Sequence, residues 1–167
     1  MKTAVFAGGC FWCITPTFAE MPGVASVRCG YCGGAEENPA YEDVKHQRTG
    51  HRESLRIDYD ETRVSFETLL GIFLESIDPY DGEGQFIDRG RSYSPAVFYA
   101  DEAERAAALA ALAGLERRTG QKSAVAVEPL RPFYEAEEYH QDYYRKNPVA
   151  FEEELRLSGR LKKMEEI

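Results

Sequence analysis

The chain has 167 residues, which at about 150 per domain argues for one domain able to bury roughly two-thirds of its unfolded surface without metal or disulfide staples. Hydrophobic residues make up 43% and charged ones 29%, a balance that excludes a disordered chain, and no apolar run reaches the length of a membrane-spanning helix. The 29 acids outnumber the 20 bases to give a net charge of −9, which repels phosphate and excludes a general nucleic-acid binder.

Lys2–Ala7 is a short apolar run ending at Gly8-Gly9 and reads as a buried strand, too short and without the cleavage site of a signal peptide. The expected compartment is therefore the cytoplasm. Residues 10–20 predict a helix that Pro22-Gly23 breaks, which puts Cys10 at a helix N-terminus. Residues 24–28 read as a second strand, and Gly30, Gly33, Gly34 and Pro39 mark a long irregular loop. Residues 55–59 alternate as a strand with one wet face, and Phe66–Ser76 is a helix whose Leu69, Leu70, Phe73 and Leu74 share one side. Residues 78–84 form a loop whose length points to function rather than connection. After a strand at 95–99, Asp101 caps an Ala-rich helix, with Glu104 three residues on, that runs to Arg118 and closes at Gly120. Residues 124–127 are a further strand. Helical spacing returns at 136–144 and 151–164, interrupted by Pro148. Arg160, Lys162 and Lys163 lie among acids and read as a solvated helix face. Strands and helices alternating along one domain make an α/β or α+β sandwich.

Cys10, Cys13, Cys29 and Cys32 all fall in the first fifth of the chain, and in a reducing compartment they are not a disulfide framework. Two Cys-x2-Cys pairs fifteen residues apart fit a zinc-site pattern. Phe11 and Trp12 fill the first gap, where zinc knuckles present small residues; the second pair, within Cys29-Gly30-Tyr31-Cys32-Gly33-Gly34, is more knuckle-like. The redox alternative rests on Cys10, because a helix N-terminus stabilises negative charge and lowers a thiol pKa toward neutrality. Cys13, one turn away, is within disulfide reach. A third reading has Cys13, Cys29 and Cys32 as small buried hydrophobes.

Gly8-Gly9-Cys10-Phe11-Trp12-Cys13 resembles the Gly-Cys-Phe-Trp signature of the A-type peptide methionine sulfoxide reductases. Further segments resemble that family in the same order: Gly30-Tyr31-Cys32-Gly33-Gly34, Asn38-Pro39-Ala40-Tyr41-Glu42-Asp43-Val44 and Thr49-Gly50-His51-Arg52-Glu53. Asp88-Arg89-Gly90-Arg91-Ser92-Tyr93 and Ala136-Glu137-Glu138-Tyr139-His140-Gln141-Asp142-Tyr143 complete the set, over about residues 3–148. Residues 149–167 are left as a helical tail. The resemblance implies a single reductase domain across 1–167, in an α+β fold: a two-layer α/β sandwich with a mixed sheet and a ferredoxin-like core.

It also implies reduction of methionine-S-sulfoxide, free or in proteins, with no cofactor and no metal. Cys10 would attack the sulfoxide sulfur as a thiolate, and Glu53 stands where the family places its proton donor, a role that needs a pKa raised by burial. Tyr41 and Tyr93 match the tyrosines that hydrogen-bond the sulfoxide oxygen, Asp88 the aspartate beside the substrate, and Phe11 and Trp12 the S-methyl pocket. Without the resemblance these side chains would read as core aromatics, satisfied tyrosines and a carboxylate at a strand edge. His51 and His140 read as structural hydrogen-bond partners. Cys13 stands where many members have glycine, Thr15 where many have glutamate, and no cysteine follows Cys32, although members commonly keep resolving cysteines near the C-terminus. The sulfenic acid on Cys10 is then resolved by Cys13, Cys32 or Cys29, or by an external thiol. Cys13 is preferred for its proximity, at the cost of loosening the first helical turn, whereas Cys32 on the glycine-rich loop would be freer to move. The implied partners are oxidised methionine and thioredoxin or another thiol reductant, with no nucleic acid and no membrane. The expected state is a monomer.

Overall fold

Burial alternates along β1 (Lys2–Ala7): Ala4 and Phe6 face one apolar cluster, Val5 and Ala7 another, so both faces of this strand are covered. The computed structural model, which describes residues 1–161, continues with α1 (Phe11–Ala19), β2 (Val24–Cys32), α2 (Tyr41–Lys45) and β3 (Arg52–Tyr59). Then come α3 (Phe66–Ser76), β4 (Gly84–Gln85), β5 (Asp88–Arg89), β6 (Ala96–Tyr99) and α4 (Glu102–Thr119). β7 (Ala126–Pro129), β8 (Tyr134–Glu135), α5 (Tyr143–Lys146) and α6 (Pro148–Ser158) complete the order.

Six strands form one sheet in the order β7-β6-β1-β3-β2-β8, and β4 and β5 pair separately as a hairpin. β6 and β7 run parallel and every other neighbouring pair antiparallel, so the sheet is mixed. Within it, β1-α1-β2-β3-α3-β6 places its strands in the order β6-β1-β3-β2, which is the expected ferredoxin-like core. Helices α1 and α3 lay Phe11, Ile14, Phe18, Leu69, Leu70 and Phe73 over Phe6, Leu55 and Ile57. Phe6 stacks on Phe73 with ring centroids 4.7 Å apart. The Asp101 side chain caps α4 by accepting from the Glu104 amide at 2.8 Å, and Gly120, at φ 71°, closes it. Among the described residues no helix is long and apolar enough to cross a membrane.

Three departures from the sequence reading bear on the site. Strand β2 does not stop at Arg28 but continues through Gly30 to Cys32, paired with β3 on one side and β8 on the other. Gly30 serves close approach rather than a loop, because a Cβ there would strike the Phe133 ring and the Tyr134 carbonyl. Residues 136–144 are not one helix. The Gln141 side chain accepts from the Cys29 amide at 2.8 Å and donates to the Cys29 and Ala136 carbonyls at 2.9 and 3.0 Å, which ties this segment to β2 as a 3-10 turn followed by α5. Pro148 does separate two helices, as read, and opens α6 at its first turn, where a missing N–H costs nothing. Arg160 is not solvated but 2% exposed, whereas Lys162, Lys163 and the end of the 151–164 helix lie outside the described residues.

Replacing Gly30 by alanine forces β8 away from β2. The expected cost is about 1–3 kcal/mol from overpacking, read as a lower urea midpoint at unchanged slope; an unchanged midpoint refutes the close-approach account.

Candidate active site

β1 delivers the chain to a Gly8-Gly9 turn, and Cys10 follows as the N-cap residue of α1. Gly9 has a φ of 87°, and a Cβ on it would collide with Arg160 and Gln85, so both conformation and space call for glycine. Beneath this turn, β3 carries Glu53 opposite Tyr31 of β2. Glu53 is 2% exposed, and its Oε1 accepts the Phe11 N–H at 3.2 Å, so the helix start and the sheet meet at one carboxyl. Tyr41 opens α2, Asp88 sits on the β4–β5 hairpin, and Tyr93 ends the 3-10 turn that follows it. A pocket of about 380 Å³ is lined by all eight residues singled out from the sequence: Cys10, Phe11, Trp12, Cys13, Tyr41, Glu53, Asp88 and Tyr93.

Burial, above all, pushes the Glu53 carboxyl from 4.5 up to about 8, against the stabilising Phe11 hydrogen bond and with Asp88 adding to the rise. At neutral pH it is therefore a protonated acid. Burial also raises Asp88, which the Arg160 guanidinium partly opposes. The Tyr41 and Tyr93 hydroxyls are pushed up by burial and by Glu53, so both remain neutral donors.

The two thiols at the start of α1 act on one another: the Cys13 side chain is the largest influence on Cys10, and Cys10 the largest on Cys13. The Cys13 side chain, burial and the carboxyls of Glu53 and Asp88 hold the Cys10 thiol up, which corrects the expectation that the helix N-terminus lowers it: the neighbouring thiol, desolvation and the two acids outweigh the helix dipole. Cys13 is drawn down by the adjacent Cys10 side chain, against burial and with the help of Arg160. Cys29 is pushed up to about 12 and Cys32 to about 11, in both cases by burial. Cys29 lies 3.3 Å from the Thr15 hydroxyl, and Cys32 points at the Arg131 carbonyl, 3.4 Å away. The two Cys-x2-Cys pairs thus do not converge, and among the described residues no three metal-ligating side chains form a group that could hold a metal ion.

Trp12 is held on both sides. Its indole N–H donates to His140 Nδ1 at 3.0 Å, and its ring stacks on Tyr143 at 3.9 Å and 10°. Burial keeps His140 neutral, as that acceptor role requires. His51 is a structural partner as well: its Nδ1 accepts the Gly34 amide at 3.2 Å and its Nε2 lies 2.7 Å from the Glu36 carbonyl.

The sequence reading missed Lys45, Ile87, Glu154, Leu157 and Ser158, which line the same pocket. Three of these come from α6, whose alternating acids and apolar residues look like any solvated helix. Nothing in the sequence marks them.

The chain matches the family model described as Peptide methionine sulfoxide reductase over residues 2–167. It is 46% identical over 159 residues to "Peptide methionine sulfoxide reductase MsrA 2" of Staphylococcus aureus, covering 94% of this chain and 90% of that one. It is 48% identical over 151 residues to the MsrA of Ligilactobacillus salivarius, covering 89% and 88%. Among solved structures, Mxr1 from Saccharomyces cerevisiae in reduced form superposes with a TM-score of 0.84 at 28% identity, over 89% of this chain and 86% of that one. Mxr1 in complex with Trx2 is a likeness of fold alone, with a TM-score of 0.57 at 19% identity over 85% and 84%. A match across nearly the whole length, relatives of this similarity and a pocket that gathers the signature residues lead to one conclusion: the chain belongs to the peptide methionine sulfoxide reductases and is an enzyme of the MsrA type.

Proposed function

We propose that the chain reduces methionine-S-sulfoxide, free or within proteins, through a sulfenic acid on Cys10. The observation that carries this is the Glu53 carboxyl, buried, neutral to about pH 8 and hydrogen-bonded to the backbone one residue past Cys10. A sulfoxide oxygen leaves sulfur only if it is protonated, and a neutral carboxyl in a dry pocket is the acid for that step. In this mechanism the substrate's S-methyl group rests on Phe11 and Trp12, and Asp88 lies beside the rest of the side chain. The oxygen faces Glu53 and the Tyr41 and Tyr93 hydroxyls.

Cys13, starting as a thiolate, takes the Cys10 proton and becomes a thiol, and the Cys10 thiolate attacks the sulfoxide sulfur while Glu53 protonates the oxygen. The oxygen passes to the Cys10 sulfur, the bond to the methionine sulfur breaks, and methionine leaves with its sulfur reduced by two electrons. Cys13 then attacks the sulfenic sulfur, a disulfide forms, and the hydroxyl departs as water. Cys13 is favoured because it shares the pocket with Cys10, one helical turn away, whereas Cys29 and Cys32 are buried outside it and hold their protons to about pH 12 and 11. Cys32 sits in a strand and not on a free loop, which removes its claimed advantage. Thioredoxin is the proposed reductant of the disulfide, a reading supported by the complex that Mxr1 forms with Trx2. The reducing chemistry of that partner fits the cytoplasm, and a monomer presents the pocket unobstructed.

Fully reduced protein mixed with excess racemic methionine sulfoxide and no other thiol should yield about one methionine per chain, from the S epimer alone. Two of the four free cysteines should disappear. Cys10→Ser should form none, and any methionine from it overturns the assignment of the nucleophile.

Glu53→Gln, which cannot donate a proton, should lower kcat/KM about a hundredfold or more, with the deficit largest below pH 8, where the native carboxyl is protonated. The wild-type rate should fall as pH rises through about 8. Stability carries the same signature: the raised carboxyl contributes fully below about 4.5 and its contribution is lost as pH rises through about 8. Urea melts should therefore show Glu53→Gln gaining on the wild type between pH 5 and 9, by on the order of 3 kcal/mol. A constant difference across that range would mean that Glu53 titrates normally.

A further inference from the structure

Helix α2 carries the pocket residue Tyr41 at its first position, and so short a helix cannot hold that end in place by itself. Val44 fixes its other end in the core. The N-cap residue is Ala40, whose side chain offers no acceptor to the first N–H groups of the helix. Glu137 supplies one from a distant segment. Its Oε2 accepts the Tyr41 N–H at 3.2 Å, and its Oε1 accepts the Tyr31 hydroxyl at 2.9 Å. Tyr31 is fully buried in β2, in register with Glu53 on β3. One carboxylate thus ties the first residue of α2 to the strand beside Glu53. Burial pushes this carboxyl up, but the bonds from its own backbone, from the Tyr31 hydroxyl and from the Tyr41 N–H draw it below its ordinary value and keep it an ionised acceptor.

Glu137 is itself firmly held. It heads a 3-10 turn in which its carbonyl accepts the His140 N–H at 2.9 Å, and Gln141, which ends the turn, is tied to β2. The same turn sets the His140 ring 4.3 Å from the Tyr41 ring while His140 Nδ1 accepts the Trp12 indole N–H. Tyr41 is therefore gripped at its amide by Glu137 and at its ring by His140. We propose that Glu137 is a positioning residue for the reduction step: by holding the Tyr41 amide it fixes where the Tyr41 hydroxyl stands relative to Glu53 and Cys10. It touches no reacting atom itself. A donor aimed at an oxygen on which charge develops loses its effect when it is displaced, so the support behind Tyr41 should be visible in the rate. The proposal rests on the reading that the Tyr41 hydroxyl hydrogen-bonds the sulfoxide oxygen.

The test is a double-mutant cycle on the full chain, read as the rate of the first turnover at saturating methionine sulfoxide with no other thiol. Tyr41→Phe, which loses the hydroxyl alone, should slow this turnover about tenfold, and Glu137→Ala, which frees the Tyr41 amide, by a similar factor. The double variant should be no slower than Tyr41→Phe. Glu137→Gln should restore most of the rate, because its amide oxygen can accept the Tyr41 N–H while its NH2 donates to the Tyr31 hydroxyl oxygen. A general loosening of the site would act whether or not the hydroxyl is present, so a double variant slowed about a hundredfold overturns the proposal. So does Glu137→Ala at the wild-type rate, or Glu137→Gln as slow as Glu137→Ala. Should Glu137→Ala fail to fold, Tyr31→Phe, which removes the other anchor of the same carboxylate, takes its place in the cycle. A smaller loss that vanishes beside Tyr41→Phe is then expected, and no loss, or one that persists there, overturns the proposal. If Tyr41→Phe keeps the wild-type rate, the Tyr41 reading falls and this proposal with it. If it is slow and the two effects multiply, the Glu137 proposal alone falls.

Discussion

The hydrogen bond from the Phe11 amide to Glu53 is the constraint around which the site is arranged. It joins the first turn of α1 to the middle of the sheet, and it does so with a carboxyl sealed from water. Such a group is tolerated in its neutral form, and a single amide donor recovers only part of what ionisation would cost there. The fold therefore keeps a proton where the proposed mechanism uses one. Opening this spot to water would return Glu53 toward an ordinary carboxylate and remove the acid, even with every side chain still present.

The rigid elements hold the two groups whose distance matters most. Cys10 follows β1 and Glu53 lies within β3, and these two strands are neighbours in register in the sheet. The tyrosines and Asp88 arrive on short helical turns and a hairpin, where a small displacement alters a hydrogen bond but not the reacting pair. Trp12 is fixed differently, between the His140 acceptor and the Tyr143 ring, so the apolar wall of the pocket depends on the segment that Gln141 ties to β2. Fixing these parts separately allows the pocket walls to vary while Glu53 and Cys10, the proposed acid and nucleophile, stay aligned.

Much of this was legible in the sequence, and the exceptions share a cause. An apolar run marked β1, helical periodicity marked α3, the Pro22-Gly23 breaker bounded α1, and the cap residues Asp101 and Gly120 bounded α4, because all of these signals act within their own element. The eight motif residues do gather in one pocket. What failed depended on contacts distant in sequence. Gly30 resembles a loop glycine until Phe133 and Tyr134 are brought against it, and residues 136–144 have helical spacing but are captured by β2 through Gln141. Arg160 is the sharpest case, since a charged residue among acids reads as solvated and only the assembled Gly8 and Ser76 carbonyls make its burial tolerable. The Cys10 thiol was misjudged because a helix N-terminus is visible in sequence, whereas the Cys13 side chain turned toward it, its burial and the nearby Glu53 and Asp88 carboxyls are not.

Closing a disulfide between Cys10 and Cys13 requires the first turn of α1 to loosen, and the local sequence lowers the cost of doing so. Cys10 caps the helix without a side-chain hydrogen bond, so no cap of the Ser or Asp kind, worth about 1 kcal/mol, has to be broken. Pro16 has no N–H to offer the Trp12 carbonyl four residues earlier, so a hydrogen bond that would otherwise hold this turn is missing from the start. Thr15 turns its hydroxyl back on the Phe11 carbonyl at 2.6 Å, which satisfies that acceptor through a side chain free to follow the backbone. The Cys13 amide bonds the Cys10 carbonyl in the tighter i to i+3 manner. Beyond this turn the helix is anchored by Ile14 and Phe18 in the core, so loosening stops there. Cys10 and the nine residues of α1 therefore combine a weakly held first turn with a fixed packing face, which is what the proposed Cys10–Cys13 disulfide requires.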